Sequence, residues 1–235
     1  MNSDVKIIAI VPAYNEQDSI VSTIGDLKNN ASNVDYVIVN DGSKDKTVKV
    51  CKEHNYNLLS LPINLGLSGA FQTGMKYALE NDYDYAVQFD ADGQHSAAYI
   101  SAMLESAQKL NSDIVVGSRF CSQKKPVSAR MIGSQLITTM IRLTTGKRIQ
   151  DPTSGMRLFN KRMIRCFAKH NDLEPEPDTL SFLMRSGASV SEVQVEMRER
   201  IAGESYLNFT KSITYMLQMA FSILFVQWFR KKIKL

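Results

Sequence analysis

Short apolar runs alternate with segments of helical spacing through the first half of the chain. The runs at residues 5–11, 36–39, 58–61, 85–89 and 114–116 predict short buried strands. Residues 19–28, 46–54, 68–80 and 97–110 place apolar side chains three and four apart and predict helices between them. Strands alternating with helices predict a mostly parallel sheet covered on both faces. Beyond Phe120 the pattern loosens. Gln123-Lys124-Lys125-Pro126 predicts a polar loop, and residues 127–145 one long helical stretch or two shorter ones. Residues 155–159 and 190–197 predict further strands, and residues 179–185 a helix behind the proline-broken acidic stretch Glu174-Pro175-Glu176-Pro177-Asp178. No repeat, low-complexity segment or linker interrupts the chain, so the expected fold class is α/β, a single domain with a hydrophobic C-terminal helix.

The expected division is a domain over residues 1–210 and an apolar helix with a basic tail over residues 211–235. Residues 212–229 carry no charge. Ile213, Met216, Leu217, Ala220, Ile223 and Leu224 make one helical stripe, while Tyr215, Met219, Phe221, Phe225, Val226 and Phe229 lie around it. A helix apolar on nearly all sides is buried in protein or in lipid. The run falls short of the roughly 20 residues that span a bilayer. Trp228 followed by Arg230, Lys231 and Lys232 has the character of an interfacial aromatic with a polybasic anchor. The expected partner is therefore a membrane surface or a small membrane protein. The alternative is a core or homo-oligomer helix with a solvated basic end.

Composition narrows the picture. At 235 residues with 44% hydrophobic and 22% charged side chains, the chain can bury a sizeable core. The net charge of +4 equals the four cations Arg230, Lys231, Lys232 and Lys234 at the end, so no basic stripe crosses the fold and nucleic acid is an unexpected partner. Cys51, Cys121 and Cys166 are far apart and form no CxxC pair, which argues against zinc and points to reduced thiols in the cytosol. The first apolar run is too short for a signal-peptide core and ends at Pro12.

Four polar segments follow predicted strands, where open α/β sheets bind ligands in a crevice. They are Val11-Pro12-Ala13-Tyr14-Asn15-Glu16, Asn40-Asp41-Gly42-Ser43-Lys44-Asp45, Asn64-Leu65-Gly66-Leu67-Ser68-Gly69 and Phe89-Asp90-Ala91-Asp92-Gly93-Gln94-His95. Each alone reads equally well as a turn or a helix cap. All four on one rim are hard to explain as turns. Two carboxylates one residue apart and a Gln carbonyl supply hard oxygens that suit Mg²⁺ or Mn²⁺, with water and substrate phosphate completing the shell. No G-x-G-x-x-G follows a strand, which argues against a dinucleotide-binding dehydrogenase.

Together with Val115-Val116-Gly117-Ser118-Arg119-Phe120, Asp151-Pro152-Thr153-Ser154-Gly155-Met156-Arg157 and residues 192–200, these segments occur in the order seen in inverting family 2 glycosyltransferases of the GT-A fold. The chain resembles that family over residues 5–205, and within it the dolichyl-phosphate mannose synthase-like, or polyprenyl-phosphate glycosyltransferase, branch. The resemblance implies that Pro12, Ala13, Tyr14, Glu16, Asp41, Asp90, Ala91, Arg119 and Arg200 bind the donor nucleotide, Glu16 at the ribose and Asp41 at the base. It implies that Asp90, Asp92 and Gln94 hold the metal that bridges the diphosphate. It places Asp151 on the acceptor side, to orient or deprotonate the nucleophile, and Arg157 at the acceptor phosphate. One departure stands out: Gly203-Glu204-Ser205-Tyr206 has Tyr where that branch commonly carries a phosphate-binding Lys.

The expected activity is thus metal-dependent, inverting transfer of a hexose from a nucleotide-diphosphate sugar, a UDP-sugar by preference, to a polyprenyl phosphate at the cytoplasmic membrane face. Two alternatives stay open. One is transfer to a hydroxyl of a lipid-linked glycan, which needs a general base. The other is a nucleotide-sugar-binding subunit of a membrane complex.

Overall fold

The computed structural model describes residues 5–123, 129–199 and 209–235. The Lys124–Pro126 loop, Arg200 and the Gly203–Tyr206 stretch lie outside them. Seven strands form one sheet: β1 (Ile7–Ala13), β2 (Asp35–Asn40), β3 (Leu58–Ser60), β4 (Tyr85–Gln88), β5 (Ile114–Ser118), β6 (Arg157–Asn160) and β7 (Val190–Gln194). Their spatial order is β3-β2-β1-β4-β6-β5-β7. β1 pairs in parallel with β2 and β4, β2 with β3, and β5 with β7. β6 alone runs antiparallel, between β4 and β5. β1 is buried throughout apart from Pro12, as a central parallel strand covered on both faces must be.

The helices α1 (Ile20–Asn30), α2 (Thr47–Glu53), α3 (Gly66–Glu80) and α4 (Ile100–Leu110) supply the crossovers of the first half. Two hydrophobic layers result. Ile7, Ala9 and Val11 face one, with Ile20, Ile24, Phe89 and Leu104. Ile8 and Ile10 face the other, with Phe71, Phe159 and Phe167. This period-two division is what a strand buried on both faces requires.

In the second half, α5 (Ala129–Thr145) is one continuous helix, settling the choice between one helix and two. α6 (Lys161–Lys169) was not legible in the apolar pattern; it starts where the Asn160 side chain accepts the Met163 N–H. α7 (Pro177–Arg185) has proline at its first turn, where the missing N–H costs nothing.

The apolar C-terminal run forms α8 (Phe209–Phe221), a π turn (Ser222–Val226) and a final turn α9 (Gln227–Phe229). Among the described residues, no helix is long and apolar enough to cross a membrane. Met216 and Ile223 join the same cluster as Ile137, Ile141 and Phe182, so this segment is partly buried in protein. A Cβ at Gly133 would stand 2.5 Å from Met216 Cγ, so only glycine lets α5 and α8 come this close. The opposite face of α8 and α9 leaves Leu217, Phe221, Phe225 and Phe229 exposed, Phe229 by 86%. The tail is not a loose polycation. Arg230 pairs with Asp172 and stacks on Phe182 at 4.1 Å, and Ile233 and Leu235 pack on the core, while Lys231, Lys232 and Lys234 stay exposed.

Candidate active site

Parallel strands deliver β1, β2 and β4 to one rim, and short side-chain hydrogen bonds bind their loops together. Asp41 N donates to Ala13 O at 2.9 Å, fastening the end of β2 to the end of β1. Asn15 sits in the left-handed region at φ 58°. Its N–H donates to Ser43 Oγ at 3.0 Å and its Oδ1 accepts from Lys44 N at 2.9 Å. Glu16 N donates to Thr47 Oγ1 at 2.8 Å, and Ser19 Oγ donates to the Glu16 carboxylate at 2.5 Å. The buried Asp41 accepts from Leu65 N at 2.7 Å, drawing in the loop after β3. Pro12, Ala13, Tyr14, Glu16 and Asp41 thus share one edge, with Tyr14 exposed on it.

The Asp90–Gln94 loop follows β4 on the same rim. His95 is buried beneath it: Nδ1 accepts the Asp90 N–H at 2.9 Å, which leaves Nε2 facing Asp90 Oδ2 at 3.5 Å. His95 thus lies against both the backbone and the carboxylate of Asp90. Ala91 is buried and its carbonyl accepts from Thr23 Oγ1 at 2.9 Å, while Asp92 Oδ1 accepts from Gln94 N at 3.0 Å. Among the described residues no group of three His, Cys, Asp or Glu side chains is arranged to hold a metal. Two carboxylates and an amide oxygen nonetheless fit a hard divalent cation that takes its other ligands from water and phosphate. A further oxygen lies close: Gln88 donates to Asp90 Oδ1 at 3.4 Å, and its own buried Oε1 has no partner among the described residues.

The opposite wall is built from the loops after β5 and before β6. Arg119 and Asp151 form a bidentate pair, Nε to Oδ2 at 2.6 Å and Nη2 to Oδ1 at 2.8 Å. Arg119 N adds a third bond at 3.1 Å and Thr153 Oγ1 a fourth at 3.2 Å, and Asp151 is 0% exposed. Glu192 accepts Gln150 N at 2.7 Å and Asp151 N at 2.9 Å. Gln194, two residues along the same face of β7, accepts Ser122 N at 2.9 Å and donates to Arg119 O at 3.0 Å. β7 therefore holds both loops of the pair in register.

Arg157 lies below this wall and is only 3% exposed. Its Nη2 donates to Pro152 O at 2.7 Å and its Nε to Ser154 O at 3.0 Å. Burial pushes its guanidinium below the ordinary arginine range, against the opposing pull of Glu176, Tyr215, Asp151 and Asp90. Burial likewise raises the Glu176 carboxyl, countered by the Tyr215 hydroxyl and Arg157. The loop touches the metal segment at Gly155, where a Cβ would stand 2.8 Å from Asp90 Oδ2.

Two walls, one carrying candidate nucleotide and metal ligands and one carrying an Arg–Asp pair, meet at Asp90. Residues 8–167 match the family model described as Glycosyl transferase family 2, most of the chain. The chain belongs to that family. It is a glycosyltransferase. It is similar to the undecaprenyl-phosphate mannosyltransferase of Micrococcus luteus, 29% identical over 86% of this chain and 88% of that protein. It is also similar to the UDP-N-acetylglucosamine–dolichyl-phosphate N-acetylglucosaminyltransferase of Methanococcus voltae, 33% identical over 71% of this chain and 74% of that one. Among solved structures, glucosyl-3-phosphoglycerate synthase from Mycobacterium tuberculosis with Mn²⁺ and UDP-glucose superposes with a TM-score of 0.69. At 14% identity, over 94% of this chain and 80% of that one, the likeness is one of fold.

Of the residues anticipated from the sequence, Pro12, Ala13, Tyr14, Glu16, Asp41, Asp90, Ala91, Asp92 and Gln94 lie along one rim and Arg119 and Asp151 on the wall opposite, while Arg200 is outside the described residues. Arg119 and Asp151, expected on donor and acceptor sides, form an ion pair with each other. Arg157 turns to main-chain carbonyls rather than to the crevice. Glu192, Gln194 and Glu176 lie in segments singled out in the sequence but carried no site role there. The signal for the first two was polar side chains at alternate positions of a strand, where a packed face would be apolar.

Proposed function

We propose that this glycosyltransferase moves a hexose, with inversion, from a nucleoside-diphosphate sugar, a UDP-sugar first among them, to a polyprenyl phosphate. The observation that carries the acceptor class is the state of Asp151. Its oxygens are held by a guanidinium fork, a backbone N–H and a hydroxyl, which suits it to fixing geometry rather than accepting a proton. A phosphate monoester arrives already ionised near neutral pH, so it needs no base; positioning suffices. A sugar hydroxyl would need one. The relatives named for polyprenyl- and dolichyl-phosphate acceptors support the same choice.

In this reading Asp41 and Glu16 accept hydrogen bonds from the base and ribose, and Pro12, Ala13 and Tyr14 wall the nucleoside. Asp90, Asp92 and Gln94 would hold Mg²⁺ or Mn²⁺, which supplies Lewis-acid neutralisation of the departing diphosphate. Arg119, oriented by Asp151, presents its cationic edge between diphosphate and acceptor phosphate. One acceptor oxygen forms a bond to the anomeric carbon as the bond to the diphosphate breaks on the opposite face. The electron pair leaves with the nucleotide, and no proton changes hands. Arg157 and Glu192 shape the loop on which Asp151 rides.

The exposed Leu217, Phe221, Phe225 and Phe229, flanked by Lys231, Lys232 and Lys234, support peripheral attachment at the cytoplasmic membrane face. The test is incubation with radiolabelled UDP- and GDP-sugars, Mn²⁺ and polyprenyl-phosphate vesicles, followed by organic extraction. An acid-labile labelled lipid is expected from a UDP-sugar. An acid-stable glycolipid would overturn the acceptor, and label from GDP-sugars alone would overturn the nucleotide.

A further inference from the structure

Asp178 and Glu176 face the C-terminal helix with carboxylates where an apolar contact would be cheaper. Both are half-buried, and a carboxylate withdrawn from water must recover that solvation through hydrogen bonds. Asp178 accepts from Ser222 Oγ at 2.6 Å and from Gln227 Nε2 at 3.4 Å, which seats the π turn. Glu176 has a different reach. Its carboxylate accepts from the Tyr215 hydroxyl on α8, and its main-chain carbonyl accepts from Arg157 Nη1 at 3.5 Å. The same guanidinium holds Pro152 O and Ser154 O, on either side of Thr153 and next to Asp151. A continuous chain of hydrogen bonds therefore runs from α8 through Glu176 and Arg157 into the loop that packs on Asp90.

We propose that Tyr215 and Glu176 are positioning residues for residues 151–157, so that the seat of α8 sets the placement of the acceptor wall. The inference rests on reading that wall as the acceptor side. The network joins the segment bearing the exposed apolar stripe to the segment that carries Asp151 and packs on Asp90. A contact serving only to hold α8 in place would end at Glu176. This one continues through a buried arginine that has no other visible task in the described residues than holding the loop.

The test uses the full chain with Tyr215→Phe, and Ser222→Ala as its control. Each removes one hydroxyl bonded to a half-buried carboxylate on the same helical segment, but only Tyr215 connects to Arg157. Transfer to polyprenyl phosphate in vesicles, nucleotide affinity with Mn²⁺ by calorimetry and melting temperature are measured for both. Tyr215→Phe is expected to lose kcat at least tenfold, with nucleotide affinity unchanged within twofold. Ser222→Ala should keep wild-type kcat at a similar melting temperature. Glu176→Gln, which still accepts from Tyr215, should stay within threefold of wild type, because geometry and not charge is the claim. Glu176→Asp shortens the reach by one methylene and carries the same expectation as Tyr215→Phe should the phenol prove indispensable for folding. Wild-type kcat in Tyr215→Phe or Glu176→Asp, or equal losses in Tyr215→Phe and Ser222→Ala, would overturn the inference. A wild-type chain that binds nucleotide but does not glycosylate polyprenyl phosphate would instead overturn the acceptor reading beneath it.

Discussion

Gly155 should not tolerate a methyl group, and the penalty should fall on catalysis rather than on folding. A Cβ there stands 2.8 Å from Asp90 Oδ2, and 3.6 Å from Asp90 Cγ and His95 Cε1. Ordinary contact begins at 3.4 Å, so an alanine must displace the carboxylate oxygen by about 0.6 Å. Gly155 is not among the residues at positive φ, so its backbone accepts alanine without strain. The loss of glycine would even favour the folded state by about 0.4–1 kcal/mol through the unfolded chain. Asp90 is partly exposed and can swing, which keeps the folding cost small. In the proposed mechanism Asp90 is a metal ligand, which works within about 0.5 Å of its productive position, and misplacements near 1 Å cost on the order of a hundredfold. Gly155→Ala is therefore expected to lower kcat by roughly 10- to 100-fold and to raise the Mn²⁺ concentration for half-activity. Its melting temperature should stay within a few degrees of wild type, about what 1 kcal/mol produces at this chain length. Initial rates across a Mn²⁺ titration, with scanning calorimetry on the same preparation, decide the matter. Wild-type rates and an unshifted metal midpoint would refute the reasoning, as would an unfolded protein.

Asp92→Ala, or excess chelator on the wild type, should abolish transfer while leaving the melting temperature nearly unchanged; full activity in either would remove the metal from the mechanism. Asp41→Ala and Glu16→Ala should each weaken UDP–Mn²⁺ binding by about 1–3 kcal/mol, the range for bonds to a charged partner, as read by titration calorimetry. Far from the rim, Asp113 is buried and accepts from Arg162, from Asn160 at 2.9 Å, and from the Ser189 N–H at 2.8 Å and hydroxyl at 2.9 Å. Burial alone would raise its carboxyl, but these bonds together hold it below the ordinary carboxylate value. Its contribution is therefore present above about pH 4 and lost as the pH falls through the folded value. Asp113→Asn should cost about 2 kcal/mol at neutral pH, discounted because Arg162 is half-exposed, and should flatten the acid limb of a melting-temperature profile. Replacing Lys231, Lys232 and Lys234 with Gln should weaken partition onto anionic vesicles by on the order of a hundredfold at low salt, at roughly 1 kcal/mol per cation; unchanged partition would point to a protein partner.

The strands and crossovers of the first half were legible because buried parallel strands write continuous apolar runs and amphipathic helices write a clear period. α6 was not. Its buried Met163, Ile164 and Phe167 are set among Lys161, Arg162, Arg165 and Lys169, and nine residues are too few for the period to outweigh those charges. The two faces of the C-terminal run were hidden for a related reason. Residues without charge look alike in sequence, yet Met216, Ala220 and Ile223 face the core while Leu217, Phe221 and Phe225 do not. The rim residues could be named because each follows a strand. Their partners could not, since Arg119 and Asp151 are 32 positions apart and only the fold makes them a pair.

Strand direction explains why one loop serves both halves of the site. β4 and β5 both end at the rim, and β6 lies between them in the opposite sense. An antiparallel strand begins where its neighbours end, so the residues that lead into β6 must arrive at that same rim. Gln88 pairs with Arg157 and Val116 with Arg157, which puts the start of β6 level with the last residues before Asp90 and Arg119. Asp151 through Gly155 then have no choice but to lie across both loops. Had β6 been parallel, its leading loop would open on the far edge of the sheet, and no side chain from it could reach Arg119 or approach Asp90. The pattern of apolar residues at 155–159 marks a strand but carries no sign of its direction. That single unread bit is what converts a rim of strand ends into a crevice with a second wall.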